Sequence, residues 1–339
     1  MKSRDLRCFL GGIVLLMALV FLTGAGLPPA NAAAPTRAKL EIAELRIGVP
    51  DQDPSFLPNW AAEQRGFFKE EGIGDVKVLV FQGNAPTVQA LASSTIDMCV
   101  ASLIGLVNTI SAGQKFKAFW AGYNMSDFAW YALPKYKSIA DTKGGRYGVS
   151  RFGSLTDFLT RYALRKAGLD PEKDVNILQL GGQAQFLAAM SSGQLDAAIF
   201  SLPNTYMAAE KGFVKLMSQK DLSRDYPTHV IYAKDDFIAK NPNTIKAYVR
   251  ATTKAMEWIK ANPEEAAQMV TKQLKYKIEY SRKAVDDLIP GWYPDGRLPQ
   301  DGMKVFWEIA VESGETKEPW PNSKWLDDSF LKTQAEWRK

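Results

Sequence analysis

The chain is poor in the residues that build metal and nucleophilic sites. Its 339 residues contain two cysteines and one histidine. So few His and Cys residues cannot supply a His/Cys-rich metal site, and neither a P-loop nor a GxGxxG motif is present. A Ser-His-Asp triad would have to be built on His229 alone. We therefore expect no metal, no other cofactor and no enzymatic activity.

Long apolar runs are also scarce, and the longest lies at the N-terminus. It spans residues 9–22, follows three basic residues and precedes the A-x-A site Ala30-Asn31-Ala32. This pattern predicts a secretory signal peptide over residues 1–32, because the core is short and glycine-diluted for a membrane anchor. No cysteine directly follows the run, so we expect no lipid anchor and a mature protein in the periplasm.

Cleavage of the signal peptide would remove Cys8 and leave Cys99 as the remaining thiol. A single thiol excludes an internal disulfide. Residues 96–101 have the apolar character of a buried strand, so Cys99 is interpreted as a small core residue.

The charge pattern argues against a nucleic-acid partner. The formal net charge is +5, and charges of both signs are scattered without a basic stripe. Roughly 300 mature residues are enough for two compact lobes. We expect a monomer that binds a small molecule.

Apolar runs and helical periodicity alternate along the chain, which predicts an α/β fold. The predicted strands are 45–49, 76–81, 96–101, 116–121, 128–133 and 228–233, together with three strands within Arg146–Pro203. The helices predicted after the last strand are Asn243–Lys260, Pro263–Gln273, Tyr280–Leu288, Pro299–Ser313 and Lys324–Trp337.

Positions about 99 residues apart carry similar residues in two parts of the chain. Arg46-Ile47-Gly48-Val49 corresponds to Arg146-Tyr147-Gly148-Val149, and Ile96-Asp97 corresponds to Leu195-Asp196. This register predicts two similar βαβαβ lobes with right-handed crossovers. We expect lobe one at 45–133 and 231–339, lobe two at 134–230, a two-strand hinge between them, and the helical tail packed on lobe one.

Loops at the carboxyl ends of the strands would line a cleft between the lobes, where ligands of open α/β sheets bind. These loops are 51–56, 82–84, 101–103, 150–154, 181–183 and 200–203. The candidate ligand-binding residues are Asp53, Ser55, Phe56, Gln82, Gly83, Asn84, Ala101, Ser102, Asn124, Ser150, Arg151, Phe152, Gly153, Ser154, Gly182, Phe200, Ser201 and His229.

Several of these residues have a structural interpretation beside the functional one. The Arg151 guanidinium suits a carboxylate, sulfonate or phosphate, but it is equally an exposed rim residue. Asp51 and Asp53 can take an ammonium group or serve turn chemistry beside Pro54. Aromatic residues at 56, 60, 128, 130 and 152 can form pocket walls or pack in the core. His229 either makes a hydrogen bond in the pocket or at the hinge, or it has a structural role.

Five motifs carry a family resemblance. They are Arg65-Gly66-Phe67-Phe68-Lys69-Glu70-Glu71-Gly72-Ile73, Gly148-Val149 with Gly153-Ser154, Ala167-Gly168-Leu169, Gln194-Leu195-Asp196-Ala197-Ala198, and Asn262-Pro263-Glu264-Glu265-Ala266. In their order and spacing the chain resembles the periplasmic solute-binding proteins of ABC importers. The likeness is to the nitrate, sulfonate and taurine group related to the NMT1/THI5-like thiamine-precursor proteins.

The resemblance implies a type II periplasmic binding fold that closes over a small ligand and docks on an ABC permease in the inner membrane. It implies that Gln82-Gly83, Ser102 and Gly153-Ser154 contact the ligand, expected to be an anionic or zwitterionic organic solute such as a sulfonate, taurine or a carboxylate. Two alternatives remain open. One is an enzyme or binder acting on a thiamine-precursor-like pyrimidine, and the other is a ligand-sensing partner of a membrane receptor.

Overall fold

The computed structural model describes residues 38–338. The predicted signal peptide and Cys8 lie outside the described residues. In the described part of the chain the strands are β1 (Glu44–Val49), β2 (Asp75–Val80), β3 (Met98–Ser102), β4 (Phe116–Met125), β5 (Ala129–Ala132), β6 (Arg146–Val149), β7 (Asn176–Gln179), β8 (Ala197–Phe200), β9 (Val214–Ser218) and β10 (Asp225–Lys234).

Helices connect and cover these strands. They are α1 (Leu57–Gln64), α2 (Phe67–Glu70), α3 (Asn84–Ala92), α4 (Leu103–Ser111), α5 (Leu155–Lys166), α6 (Gln183–Ser191), α7 (Asn204–Glu210), α8 (Asp235–Lys240), α9 (Pro242–Ala261), α10 (Pro263–Leu274), α11 (Ile278–Leu288), α12 (Gln300–Glu312), α13 (Asn322–Trp325) and α14 (Ser329–Trp337). Short 3₁₀ turns lie at Pro54–Phe56, Ala140–Thr142, Gln219–Asp221 and Ile289–Gly291.

The strands form two five-stranded mixed sheets with the same arrangement. The first has the order β2-β1-β3-β10-β4 and the second the order β7-β6-β8-β5-β9. In each, the three strands of a βαβαβ unit are parallel, and the fourth strand runs antiparallel to them. The predicted class of two similar α/β lobes is confirmed, and we call the parts built on these sheets lobe one and lobe two.

The repeat seen in the sequence has a structural counterpart. Asp97 accepts hydrogen bonds from the Arg46 backbone N–H (2.8 Å) and from Arg46 Nε (3.1 Å). Asp196 accepts the equivalent bonds from the Arg146 backbone N–H (3.1 Å) and Nε (2.7 Å). Each lobe therefore ties the start of its first strand to the residue just before its third strand with the same arginine–aspartate pair.

A glycine in the first strand of each lobe also has the same packing role. A Cβ atom on Gly48 would lie 2.3 Å from Ile96 Cδ1, and one on Gly148 would lie 2.7 Å from Leu195 Cδ2. Since real Cβ atoms do not approach that closely, a side chain at either position would displace the aliphatic residue opposite.

The crossings between the sheets lie earlier in the chain than expected. The strand predicted at 128–133 in lobe one is β5, which pairs with β8 and β9 in the second sheet. The strand predicted to begin at Thr228 begins at Asp225 and lies wholly in the first sheet. The sequence shows each apolar run but not its ladder partner, because tertiary context sets the pairing of a strand.

The helical tail packs mainly on lobe one. Residues of α9, α10 and α11 belong to the same buried cluster as Ile47 and Trp60. Helix α12 lies against β10 and also reaches α5 of lobe two, where the Phe158 and Phe306 rings are 6.2 Å apart. The helix predicted at Lys324–Trp337 is divided, because Leu326 forms a β-bridge with Ala118.

We predict that Asp196→Asn lowers the unfolding free energy by about 2 kcal/mol at pH 7, since hydrogen bonds to a charged group contribute roughly that much. Burial would raise the pKa of Asp196, but the hydrogen bonds from Arg146, Lys135 and Tyr136 together outweigh it and lower the pKa to about 2. Because the pKa of Asp196 is lower in the folded state than in the unfolded state, the ionised side chain stabilises the fold at pH values above the ordinary aspartate pKa. This stabilisation is lost as the pH falls toward 2.

Chemical denaturation between pH 7 and pH 2 checks this expectation. The difference between wild type and Asp196→Asn should shrink as the pH falls below about 4. Asp236→Asn is the matched control, because Asp236 is exposed and pairs with Lys240 only on the surface. A constant difference at all pH values would contradict the assignment.

Candidate functional site

The candidate site is a cavity between the carboxyl ends of strands from both sheets, which we call the inner cavity. Its volume is about 60 Å³, several times the roughly 10–15 Å³ that one water molecule needs. The lining residues come from both lobes: Pro50, Asp51, Asp53, Ser55, Phe56, Gly83, Asn84, Ser102, Asp127, Phe128, Ser150, Ser154, Leu155, Thr156, Gln183 and His229.

A larger outer cavity of about 580 Å³ adjoins the inner one and shares Asp51, Gly83, Ser150 and Gln183 with it. Its other walls include the loop Leu180–Gly182 and Tyr276. The inner cavity therefore has a polar vestibule, bounded by both lobes.

A chain of hydrogen bonds joins the lobes at the inner cavity. Asp53 begins the first 3₁₀ turn and accepts from the Ser55 backbone N–H at 2.9 Å. Its second oxygen accepts from Ser201 Oγ of lobe two at 2.6 Å. Gln183 in turn accepts from the Ser201 backbone N–H (2.8 Å) and donates to its hydroxyl (2.7 Å). Asp53 is thus fixed from both sides of the cleft.

Three carboxyl groups of the inner cavity have raised pKa values. Burial and the nearby charge of Asp53 raise the pKa of Asp51 to about 6. Burial also raises the pKa of Asp53 itself, against the opposing hydrogen bonds from Ser201 and Ser55. Burial, reinforced by the charge of Asp53, raises the pKa of Asp127 well above its ordinary value. The cavity is therefore an environment in which negative charge lacks compensation.

A cluster of three hydroxyls closes the lobe-two side. Ser150, Ser154 and Thr156 lie within 2.8–3.0 Å of one another, oxygen to oxygen. Ser154 is the N-cap of α5, with its hydroxyl accepting from the Asp157 backbone N–H at 3.4 Å. The start of α5 therefore lies at the inner cavity, and the N–H groups at a helix start favour polar ligand groups.

The lobe-one side presents a similar helix start. Ser102 is the N-cap of α4, accepts from the Gly105 backbone N–H at 3.2 Å and donates to Asn84 Oδ1 at 3.2 Å. A Cβ on Gly105 would lie 1.8 Å from Asn84 Nδ2. The absence of a side chain at Gly105 therefore lets the Asn84 amide lie against α4.

His229 and Phe56 form an aromatic wall, with ring centroids 4.7 Å apart. Burial lowers the pKa of His229 to about 3, so the ring is neutral at physiological pH. In the strand register His229 lies beside Ser102 and Tyr123. The histidine is thus built into β10 and also lines the cavity.

The structure brings together many of the residues proposed from the sequence. The inner cavity is lined by Asp53, Ser55, Phe56, Gly83, Asn84, Ser102, Ser150, Ser154 and His229, the outer cavity by Gln82 and Gly182, and Ser201 contacts Asp53 directly.

Six proposed residues lie elsewhere. Ala101 and Phe200 are buried in hydrophobic clusters, since strand alternation points them away from the cleft. Asn124 donates to the Arg297 carbonyl at 2.8 Å. Phe152 is 55 % exposed, and the neighbouring Gly153 donates its N–H to Asp157.

Arg151, the sixth of these residues, spans the cleft but does not line either cavity. Its Nε donates to the Gln82 carbonyl of lobe one. The guanidinium is therefore engaged in a contact between the lobes. Among the aromatic candidates, Trp60 and Trp130 are core residues, and Phe128 lines the inner cavity.

Sequence reasoning did not name Asp127, Thr156 and Gln183 among the candidate ligand-binding residues. Gln183 already lay at the end of the proposed loop 181–183, and extending the loop 150–154 by two positions, into the start of α5, would have included Thr156. Asp127 lies in the segment between β4 and β5. Its signal was a polar Ser126-Asp127 pair between two apolar runs, where the chain changes sheets.

Within residues 38–338, no group of three or more His, Cys, Asp or Glu residues is arranged to hold a metal ion. None of the helices in this range combines the length and apolar character of a membrane-spanning segment. Cys99 is fully buried, and burial raises the pKa of its thiol.

Comparison with known proteins gives consistent relationships. A Brucella abortus protein, provisionally named as a binding protein, is 30% identical to this chain over 280 residues. The match covers 79% of this chain and 86% of the relative. The nitrate/nitrite binding protein NrtA of a Nostoc species is 26% identical over 309 residues, covering 81% of this chain and 67% of the relative.

A solved structure shares the fold. The periplasmic aliphatic sulphonate binding protein SsuA of Escherichia coli superposes with a TM-score of 0.67 at 19% identity, covering 84% of this chain and 91% of SsuA. The model of the NMT1/THI5-like family matches residues 53–266. The chain therefore belongs to the NMT1/THI5-like family, whose relatives include substrate-binding proteins of ABC importers.

Proposed function

We propose that this protein is the periplasmic solute-binding component of an ABC importer. It captures a small polar organic solute between its lobes and delivers it to a membrane permease. The observation that carries the proposal is the inner cavity itself, lined by strand-end loops of both sheets. Such a cavity changes when the lobes move, so ligand binding and lobe closure are coupled.

Two hydrogen bonds between the lobes support a closure mechanism. The Asp53–Ser201 bond lies at the inner cavity, and the Arg151–Gln82 bond crosses the cleft outside it. Each joins loops of different sheets, so each forms only when the lobes are close. A solute held between the lobes would favour the state in which both bonds are made.

The lining chemistry favours a zwitterion over a simple anion. The hydroxyls of Ser150, Ser154 and Thr156 at the start of α5 suit the negative end of a solute. Asp51 and Asp53 occupy the lobe-one side of the same cavity. A solute with charges of both signs can satisfy both sides.

We predict that at least one compound from a small panel binds with a 1:1 stoichiometry. The panel is nitrate, ethanesulfonate, taurine, γ-aminobutyrate and aminopyrimidine. At a ligand concentration of 100 times Kd, binding should stabilise the protein by about 2.7 kcal/mol, which thermal shift detects and titration calorimetry quantifies. Turnover of a bound compound, seen by mass spectrometry, would contradict a pure binding function.

We predict that Ser154→Ala weakens binding of the panel ligand by about tenfold, because one direct hydrogen bond contributes about 1–1.5 kcal/mol. Calorimetry on the variant and on Ser192→Ala measures the effect. Ser192 is the control, since its exposed hydroxyl bonds only the Ala189 carbonyl within the described residues. Equal losses in the two variants would argue against a ligand contact at Ser154.

We predict that Arg151→Ala speeds ligand dissociation by about three- to tenfold and leaves the association rate nearly unchanged. The bond to Gln82 lies outside the inner cavity, so its loss destabilises the closed state rather than a ligand contact. Stopped-flow tryptophan fluorescence gives both rates. Arg282→Ala, which breaks a surface pair with Glu264, is the control. An unchanged dissociation rate would exclude a closing role for Arg151.

A further inference from the structure

The acidic side of the inner cavity has no lysine or arginine among its described lining residues. Asp51, Asp53 and Asp127 all line this cavity, and Asp53 and Asp127 are only 9 % and 7 % exposed. Among the described residues that line either cavity, none is a lysine or an arginine. Arg151, the nearest cation in the sequence-predicted site, donates instead to a backbone carbonyl.

Three buried polar atoms of the same cavity have no hydrogen-bond partner among residues 38–338. They are Asp127 Oδ1, Ser55 Oγ and His229 Nδ1. Ser55 is 4 % exposed and His229 is 8 % exposed. Because buried polar groups in folded proteins are normally satisfied, three unsatisfied atoms around one cavity indicate that a bound molecule supplies their partners.

We propose that these groups form a subsite for a positively charged nitrogen of the solute. This inference rests on the proposed function and narrows it. The solute is an organic ammonium compound or a zwitterion, whose N–H groups donate to Asp127 and Asp51. A simple inorganic or alkyl anion does not meet this requirement.

The surrounding residues suit such a group. An ammonium has several donors and no acceptor, and it faces carboxylate oxygens in a water-poor cavity, where charge-assisted hydrogen bonds are strong. Phe56 and Phe128 line the same space, and aromatic rings attract a cation that lies over their faces. Neutral His229 accepts a further N–H group without adding a competing positive charge.

Compound pairs that differ only by an amino group test the inference. The pairs are taurine with ethanesulfonate and γ-aminobutyrate with butyrate, because the alkyl amino group of each first compound is protonated at pH 7. Thermal shift and calorimetry are run on the exported chain purified without refolding, and native mass spectrometry identifies any solute carried through purification. We expect every binding compound to contain the nitrogen and to bind at least thirtyfold more tightly than its partner.

Variants test which residues hold the nitrogen. Asp127→Asn and Asp51→Asn should each weaken binding of the amino compound by at least tenfold, whereas the exposed control Asp301→Asn should not. The melting temperature of ligand-free Asp127→Asn should not fall, because burial raises the pKa of Asp127 and favours its neutral form, which an asparagine amide resembles. If Asp127→Asn fails to fold, Asp51→Asn carries the test, since Asp51 is only partly buried.

The outcomes separate the two proposals. Equal binding of an amino-free anion, or unchanged affinity in both aspartate variants, would overturn the cationic subsite and leave the binding function standing. If no compound of any pair binds and no solute is carried through purification, the proposed function fails, and the subsite with it.

Discussion

The two crossings between the sheets are the constraint on which the rest of the structure depends. Ser126 donates its backbone N–H to the Arg224 carbonyl, and Thr228 donates its hydroxyl to the Met125 carbonyl. These bonds hold the outgoing and returning segments side by side. Because Asp127 lies in one segment and His229 in the strand that follows the other, the hinge also supplies part of the cavity wall. The connection between the lobes and the wall of the cavity therefore share the same few residues.

The lobe architecture was accessible from the sequence because it is encoded locally and twice. Gly48 and Gly148 mark positions where a side chain would clash, and the paired Arg46–Asp97 contact recurs as Arg146–Asp196. What escaped prediction depends on long-range pairing. From its apolar sequence, strand β5 could belong to either lobe, and only its pairing with β8 assigns it to lobe two.

The candidate site was predictable in part for a similar reason. Strand-end loops follow from the α/β pattern, so Ser102 and Ser154 could be proposed from their positions before helices. The direction of the Arg151 side chain could not be predicted, because the partner of a long flexible side chain is set only in the folded protein. Because Arg151 contacts Gln82, its guanidinium is not among the groups that line the cavities, whereas the aspartates are.

The composition of the cavity lining shows that a fold shared within a family does not determine which ligand is bound. NrtA and SsuA are named for anions, and this chain is similar in sequence to NrtA and shares the fold of SsuA. Fold and hinge can persist while a few lining residues change the chemistry of the cleft. Here buried carboxyl groups such as Asp53 and Asp127 line the cavity, where burial raises their pKa values and disfavours the charged form, a free-energy cost that a functional benefit would offset. The benefit that we infer is selection for a solute that brings its own positive charge.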